Sequence, residues 1–142
     1  MTRPRYETAE DRVREAEAAQ KFADVMLLDV KKLEAGHRAD FAVLDNGVEI
    51  GYLEVKTRTC NSTTYKTYHV SKDKLDALLA LAKKENKRAA LIVQWQDRAG
   101  FIGVGKFLSN ATFKKGGRWD RGDKFDVEQM AEVDINLFQF LD

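Results

Sequence analysis

Residues 89–95, AALIVQW, form a nearly unbroken apolar run of strand length. A strand with one wet face alternates, so a run without alternation reads as a strand covered on both faces. That demands layers on either side of a sheet. The segment before it supplies one. Residues 71–86, SKDKLDALLALAKKEN, place Leu75, Leu78, Leu79 and Ala82 on one helical stripe. Ser71 is a suitable N-cap, and Val70 can staple onto Leu75. Lys83, Lys84 and Lys87 suit the C-terminal end of the helix dipole. GFIGVGKF, after the apolar run, reads as another strand, and a helix between two strands suggests a right-handed crossover.

Residues 7–26 have helical composition, without Gly or Pro. Thr8 is a candidate N-cap and Asp11 lies in the first turn. The apolar face runs through Ala19, Phe22 and Met26, with Ala16 and Ala23 beside it. One turn before Ala19, Glu15 falls on the buried side, whereas Glu10 and Glu17 do not. The bland reading of Glu15 is a long stem carrying its charge to solvent. Residues 27–33 and 39–44 read as strands separated by the turn EAGHR. Asp45-Asn46-Gly47 signals a hairpin into a third strand, VEIGYLEVKT. Residues 57–69 read as a polar loop with a short strand near Tyr65 to His69. Residues 114–124 read as a basic, Gly-rich loop, and the tail as an edge strand, a short helix or both.

A chain of 142 residues, 44% hydrophobic, suffices for one domain with a real core. The expected class is α/β, with a mixed central sheet of about four to five strands flanked by helices. The core would span about 8–105, with an extension over 106–142. A formal net charge of +1 announces no nucleic-acid binder by bulk charge. One cysteine, Cys60, excludes a disulfide framework, and with only His37 and His69 a histidine-rich metal site is not expected. There is no apolar run of about 18 residues and no signal-peptide core at the N-terminus. These features lead to the expectation of an intracellular, reducing setting: the cytoplasm, or the host's cytoplasm for a phage-encoded chain.

The stretch GVEIGYLEVKTRT, residues 47–59, carries the chemistry. Val48, Ile50 and Tyr52 line one strand face, and the next two positions on it are Glu54 and Lys56. Asp/Glu-x-Lys alone says little: with 23 acids and 14 lysines, about two chance matches are expected, and there are three. Only Glu54-Val55-Lys56 ends a strand hairpinned to one that opens with an acid, Asp40. A plain two-residue turn would set Asp40 opposite Leu53, on the wrong face. A three-residue turn with Gly47 as a G1 bulge would set it opposite Tyr52, on the face of Glu54 and Lys56. Two carboxylates with waters and a phosphate suit a hard cation such as magnesium. A neighbouring lysine can orient an attacking water or stabilise transition-state charge. The bland alternative is a salt bridge at a sheet end.

With its helix bearing an inward Glu, the hairpin ADFAVLDNGVEIGYLEVKTRT, the Ser-capped helix and the apolar strand, the chain resembles the PD-(D/E)xK nuclease superfamily. It is most similar to small single-domain members such as archaeal Holliday-junction resolvases and short phage nucleases. The resemblance covers about residues 8–105 and implies a restriction-endonuclease-like fold. It implies a magnesium-dependent deoxyribonuclease that acts on DNA by internal cleavage, with manganese able to substitute. It makes Asp40, Glu54, Lys56 and Glu15 the catalytic set, and Asp40, Glu54, Glu15 and the Val55 carbonyl the metal ligands. Ala39 stands where the family has proline.

Arg58 and Lys66 are candidates to hold backbone phosphates, as are Lys114, Lys115, Arg118 and Arg121, which with Lys106 and Lys124 form the best basic patch. Gln94, a polar intrusion in the apolar strand, is a further candidate, with a hydrogen-bonded edge glutamine as its alternative. Tyr65, Tyr68 and Trp119 can stack on bases or simply pack. A homodimer is compatible with the sequence. Two other classes stay open: a non-catalytic nucleic-acid-binding module of this fold, and an assembly protein with a salt-bridged Asp40-Glu54-Lys56 cluster.

Overall fold

The structure, a computed structural model, describes residues 9–117 and 127–141. Helix α1 (Ala9–Met26) leads into β1 (Asp29–Lys32), β2 (Phe41–Asp45), β3 (Val48–Thr57) and β4 (Thr67–Ser71). Then come α2 (Lys72–Lys84), β5 (Arg88–Gln94), β6 (Ala99–Gly103), α3 (Val104–Asn110) and β7 (Thr112–Gly117). β8 (Val127–Asp134), a 3-10 turn (Ile135–Leu137) and β9 (Gln139–Phe140) close the order.

The central sheet is mixed, in the order β1-β2-β3-β5-β6-β9, and so holds six strands rather than four or five. β3 and β5 run parallel, and their neighbours are antiparallel. The extra strand is the two-residue β9, too short to carry its own sequence signal. A second sheet, β4-β8-β7, stands apart.

Leu91, Ile92 and Val93 of β5 are fully buried, as their apolar run requires. Ile92 faces a cluster built by Ala18, Ala19 and Phe22 of α1 with Phe41, Leu53 and Val55. Leu91 and Val93 face the other layer: Leu75 and Leu78 of α2, Phe107 of α3, and Tyr68 and Ala131 of the second sheet. The α1 stripe includes Ala18 and leaves Ala16 and Met26 exposed. Val70 and Leu75 share one cluster, as a staple should, but Ser71 makes no side-chain cap bond to α2.

Two other readings are corrected. GFIGVGKF is not one strand: β6 ends at Gly103, and Val104 and Phe107, three residues apart, are buried from one helical face of α3. That spacing suits a helix as well as the apolar content suits a strand. The loop expected from residue 114 begins as strand β7, whose Lys114 and Lys115 pair with Met130 and Gln129 of β8. Thr8 and residues 118–126, with Arg118, Trp119, Arg121 and Lys124, lie outside the described residues.

Candidate active site

The β2–β3 turn holds two residues, not three. Asp45 pairs with Val48, and Asn46 and Gly47 both have positive φ (49° and 82°), the signature of a type I′ hairpin. The one-residue shift comes later. Leu44 pairs with Glu49 and Val43 with Gly51, so Ile50 is a bulge. Beside it, a Cβ on Gly51 would lie 3.0 Å from the Arg88 carbonyl oxygen, so glycine lets β5 approach. Beyond the bulge Phe41 pairs with Leu53, the last pair of the ladder, while Tyr52 pairs with Ala42 and not with Asp40. Asp40 lies one residue further on, its charge acting on Glu54. The expected cluster therefore forms through a different irregularity.

β2 begins at Phe41, so past Leu53 this edge of β3 has no strand beside it. Asp40 fills the gap. Its backbone N–H donates to the Leu53 carbonyl at 2.9 Å, and its carboxylate Oδ2 accepts from the Val55 N–H at 2.8 Å. A strand residue's N–H and C=O point to the same edge, so the Val55 carbonyl also faces this notch. The turn before Asp40 is held by the Leu33 N–H donating to the Asp40 carbonyl (3.0 Å) and the Ala39 N–H donating to His37 Nδ1 (3.0 Å).

Glu54 Oε1 lies 3.3 Å from Lys56 Nζ, with the Glu54 side chain 14% exposed. Burial, then the Asp40 charge, pushes the Glu54 carboxyl above its ordinary value, while Lys56 and Lys74 oppose the rise. Two mutually repelling carboxylates, one of them desolvated, gain most from a cation between them. Asp40, Glu54 and the Val55 carbonyl are hard oxygen donors at an open edge, and fit a magnesium-like ion completed by water. The described residues contain no group of three or more His, Cys, Asp or Glu side chains that could hold a metal ion. Glu15 therefore does not complete a three-acid set in this conformation; it is half-buried on α1 and engaged in an interaction there.

Asp40 and Lys56 open into a cleft of about 670 Å³ rimmed by Arg12 of α1, Lys32 of β1 and Lys74 of α2. Those three cations were not singled out by sequence. For Arg12 the available signal was helical phase, three residues before Glu15. Lys74 had only its place in the first turn of a helix that follows the hairpin, and Lys32 its strand.

The remaining candidates scatter. Gln94 pairs with Thr57, one position off the face of Glu54 and Lys56, and its side chain donates to the Trp95 carbonyl at 2.6 Å. It joins Arg14, Glu17 and Lys21 of α1 around another hollow, away from the acids. Arg58 follows β3 and is fixed: it donates to Tyr68 Oη (2.9 Å) and the Thr57 carbonyl (3.0 Å). Tyr68 is core, its hydroxyl pushed up to about 12 by burial first, with Arg58 opposing and Glu54 adding. Lys66, Lys114 and Lys115 are exposed, and Lys114 pairs with Glu132 at 2.9 Å.

The sequence model of a family described as "Phage putative PDDEXK endonuclease" matches residues 1–141, and the chain belongs to that family. No curated protein matches it. Among solved structures, Archaeoglobus fulgidus Hjc, a Holliday junction resolvase from an archaeal hyperthermophile, is similar with a TM-score of 0.54 at 12% identity. That likeness covers 88% of this chain and 87% of the other. D212, a nuclease from a fusellovirus, is similar with a TM-score of 0.55 at 16% identity, over 98% and 91% of the two chains. At such identities the likeness is one of fold, here that of restriction-endonuclease-like nucleases. Nucleases of the PD-(D/E)xK type generally use divalent metals. No helix among the described residues is long and apolar enough to cross a membrane.

Proposed function

From this membership we propose that the protein is a magnesium-dependent endonuclease that hydrolyses phosphodiester bonds in DNA. The observation that carries the reading is that Asp40 bonds the Val55 N–H at the open edge of β3, beside the Glu54–Lys56 pair, with Asp40 and Lys56 lining a cleft that also holds Arg12, Lys32 and Lys74. Asp40, Glu54 and the Val55 carbonyl hold the metal, with Glu15 contributing from α1 through an intervening water. When bound, the ion supplies a more acidic water and positive charge against the scissile phosphate. Lys56 projects one step past Glu54 and orients the attacking water, then stabilises the charge that develops on phosphorus. Arg12, Lys32 and Lys74 hold the backbone phosphates beside it. Lys66 and Lys115, both exposed, extend that contact.

The test is incubation with linear, circular and branched DNA, with and without magnesium. Cleavage of closed circles that needs magnesium and vanishes in Asp40→Asn supports the proposal. A purified, folded protein that binds DNA but cuts none of these substrates, with magnesium or manganese, overturns it in favour of a binding module.

A further inference from the structure

Just past the end of β3 lies a second cavity, of about 300 Å³. Its walls include Arg58, Tyr65, Tyr68, His69, Trp95 and Lys114. We propose that this cavity receives one unpaired nucleotide of the substrate strand, its base stacked on Tyr65 and its phosphate met by Arg58 and Lys114; this rests on the nuclease reading above.

The cavity's position follows from the strand. Arg58 lies two residues past Lys56, about 7 Å along an extended chain. A strand whose scissile phosphate sits at Lys56 therefore carries its neighbouring nucleotide to the cavity mouth. The volume lies at the small end of ligand pockets, which run from about 300 Å³. A base held in the duplex stack is not free to turn into such a recess, whereas an extruded or single-stranded one is.

The walls have the chemistry for it. Tyr65 is 66% exposed, so its ring is not committed to the core and is free to take a base. The loop that carries it is pinned. Ser62 donates from both its N–H and its hydroxyl to Asp97, each at 2.7 Å, and the Gln96 N–H donates to the Cys60 carbonyl at 3.1 Å. Arg58 is held in place over the Tyr68 ring at 4.9 Å, and its two side-chain bonds use two of five N–H donors. Lys114 also lines the cavity, its side chain 59% exposed and paired with Glu132 of the same wall at 2.9 Å, so a phosphate must draw it from that carboxylate.

The test is equilibrium binding in metal-free buffer, using a 20-nucleotide single strand and a blunt 20-base-pair duplex as probes, both sizes chosen as roughly two helical turns or less. Tyr65→Ala should weaken single-strand binding by about tenfold, the scale of one base–aromatic stack, and duplex binding markedly less. Tyr65→Phe keeps the ring and should bind both probes as the wild type does. Equal losses on the two probes, or no loss in Tyr65→Ala, overturn the nucleotide cavity and leave the cleavage result untouched. A wild-type chain that binds neither probe overturns the cavity alone, because the nuclease reading stands or falls on magnesium-dependent cleavage.

Discussion

The Asp40 carboxylate accepts the Val55 N–H at 2.8 Å, at the rung where β2 has stopped and β3 continues. One side chain thus does two jobs: it ends the sheet ladder, and it brings negative charge beside Glu54. The two jobs separate by substitution. Asp40→Ala leaves the N–H of buried Val55 without its acceptor, at a cost of about 1–3 kcal/mol. Asp40→Asn keeps an oxygen there and removes the repulsion on Glu54. Both variants should lose cleavage, but in metal-free buffer only Asp40→Ala should melt below the wild type. Identical melting curves for the two variants would show that this bond contributes nothing.

Glu54 should make the metal-free protein pH-sensitive in a defined direction. Burial and Asp40 raise its carboxyl above the ordinary 4.5, so the folded chain holds the proton more tightly than the unfolded chain. Stability from this group is then present below 4.5 and falls as pH rises through the raised folded value. Glu54→Gln lacks the titration, so the difference in melting temperature between variant and wild type should grow in the variant's favour across that window. Added magnesium should shrink the difference, and should do so less in acid, where a protonated Glu54 is a poor ligand. A difference that shrinks with rising pH in metal-free buffer contradicts the assignment.

Lys56 should matter for rate more than for binding. Its ammonium pairs with Glu54 at 3.3 Å, and its side chain, 28% exposed, lines the cleft. Lys56→Ala should bind DNA and magnesium but lose roughly 2.7–4 kcal/mol of transition-state stabilisation, as loss of a single preorganised donor does. Lys56→Arg should rescue poorly, because a planar guanidinium does not replace a compact ammonium. Wild-type cleavage by Lys56→Ala at saturating magnesium would rule the mechanism out.

Glu15 has a graded expectation. It sits half-buried on the stripe of α1 that continues to Ala18, Ala19 and Phe22, but outside any three-acid cluster. A contribution through water predicts that Glu15→Gln lowers turnover less than Asp40→Asn does, at unchanged melting temperature. An effect equal to that of Asp40→Asn would place Glu15 directly on the metal.

What the sequence made legible was periodic. The buried β5, the α1 and α2 stripes and the hairpin each repeat a local signal over several residues, and each appears in the fold. Position on a strand face was also readable, which is why Asp40, Glu54 and Lys56 could be grouped. The register was not. The bulge at Ile50 replaces an expected bulge at Gly47, because one extra residue can be absorbed anywhere along a hairpin and only packing against β5, close at Gly51, selects the place. The two readings of Gln94 were inseparable for a related reason: its polarity was visible, but the layer it faces depends on the parallel pairing with Thr57. Arg12, Lys32 and Lys74 come together from three elements distant in sequence, and no local pattern encodes such a meeting.

Those cleft cations yield the last expectation, in which Arg12 and Lys74 part ways. Both line the cleft beside Asp40 and Lys56. If each meets one phosphate, Arg12→Ala and Lys74→Ala should each weaken DNA binding across all sequences, and each should make its salt dependence shallower by roughly one unit of slope. Lys74 has a second effect, because its charge also lowers the Glu54 carboxyl toward the ionised form. Removing it should push Glu54 further up and weaken magnesium binding at pH values below that raised value, an effect that fades as pH rises and Glu54 ionises regardless. Arg12 is not among the main charges that shift Glu54, so Arg12→Ala should keep the wild-type magnesium requirement. The measurement is the magnesium concentration for half-maximal cleavage, taken at two pH values for each variant. A Lys74→Ala enzyme with a normal, pH-independent magnesium requirement would separate Lys74 from Glu54 and leave it a phosphate contact alone.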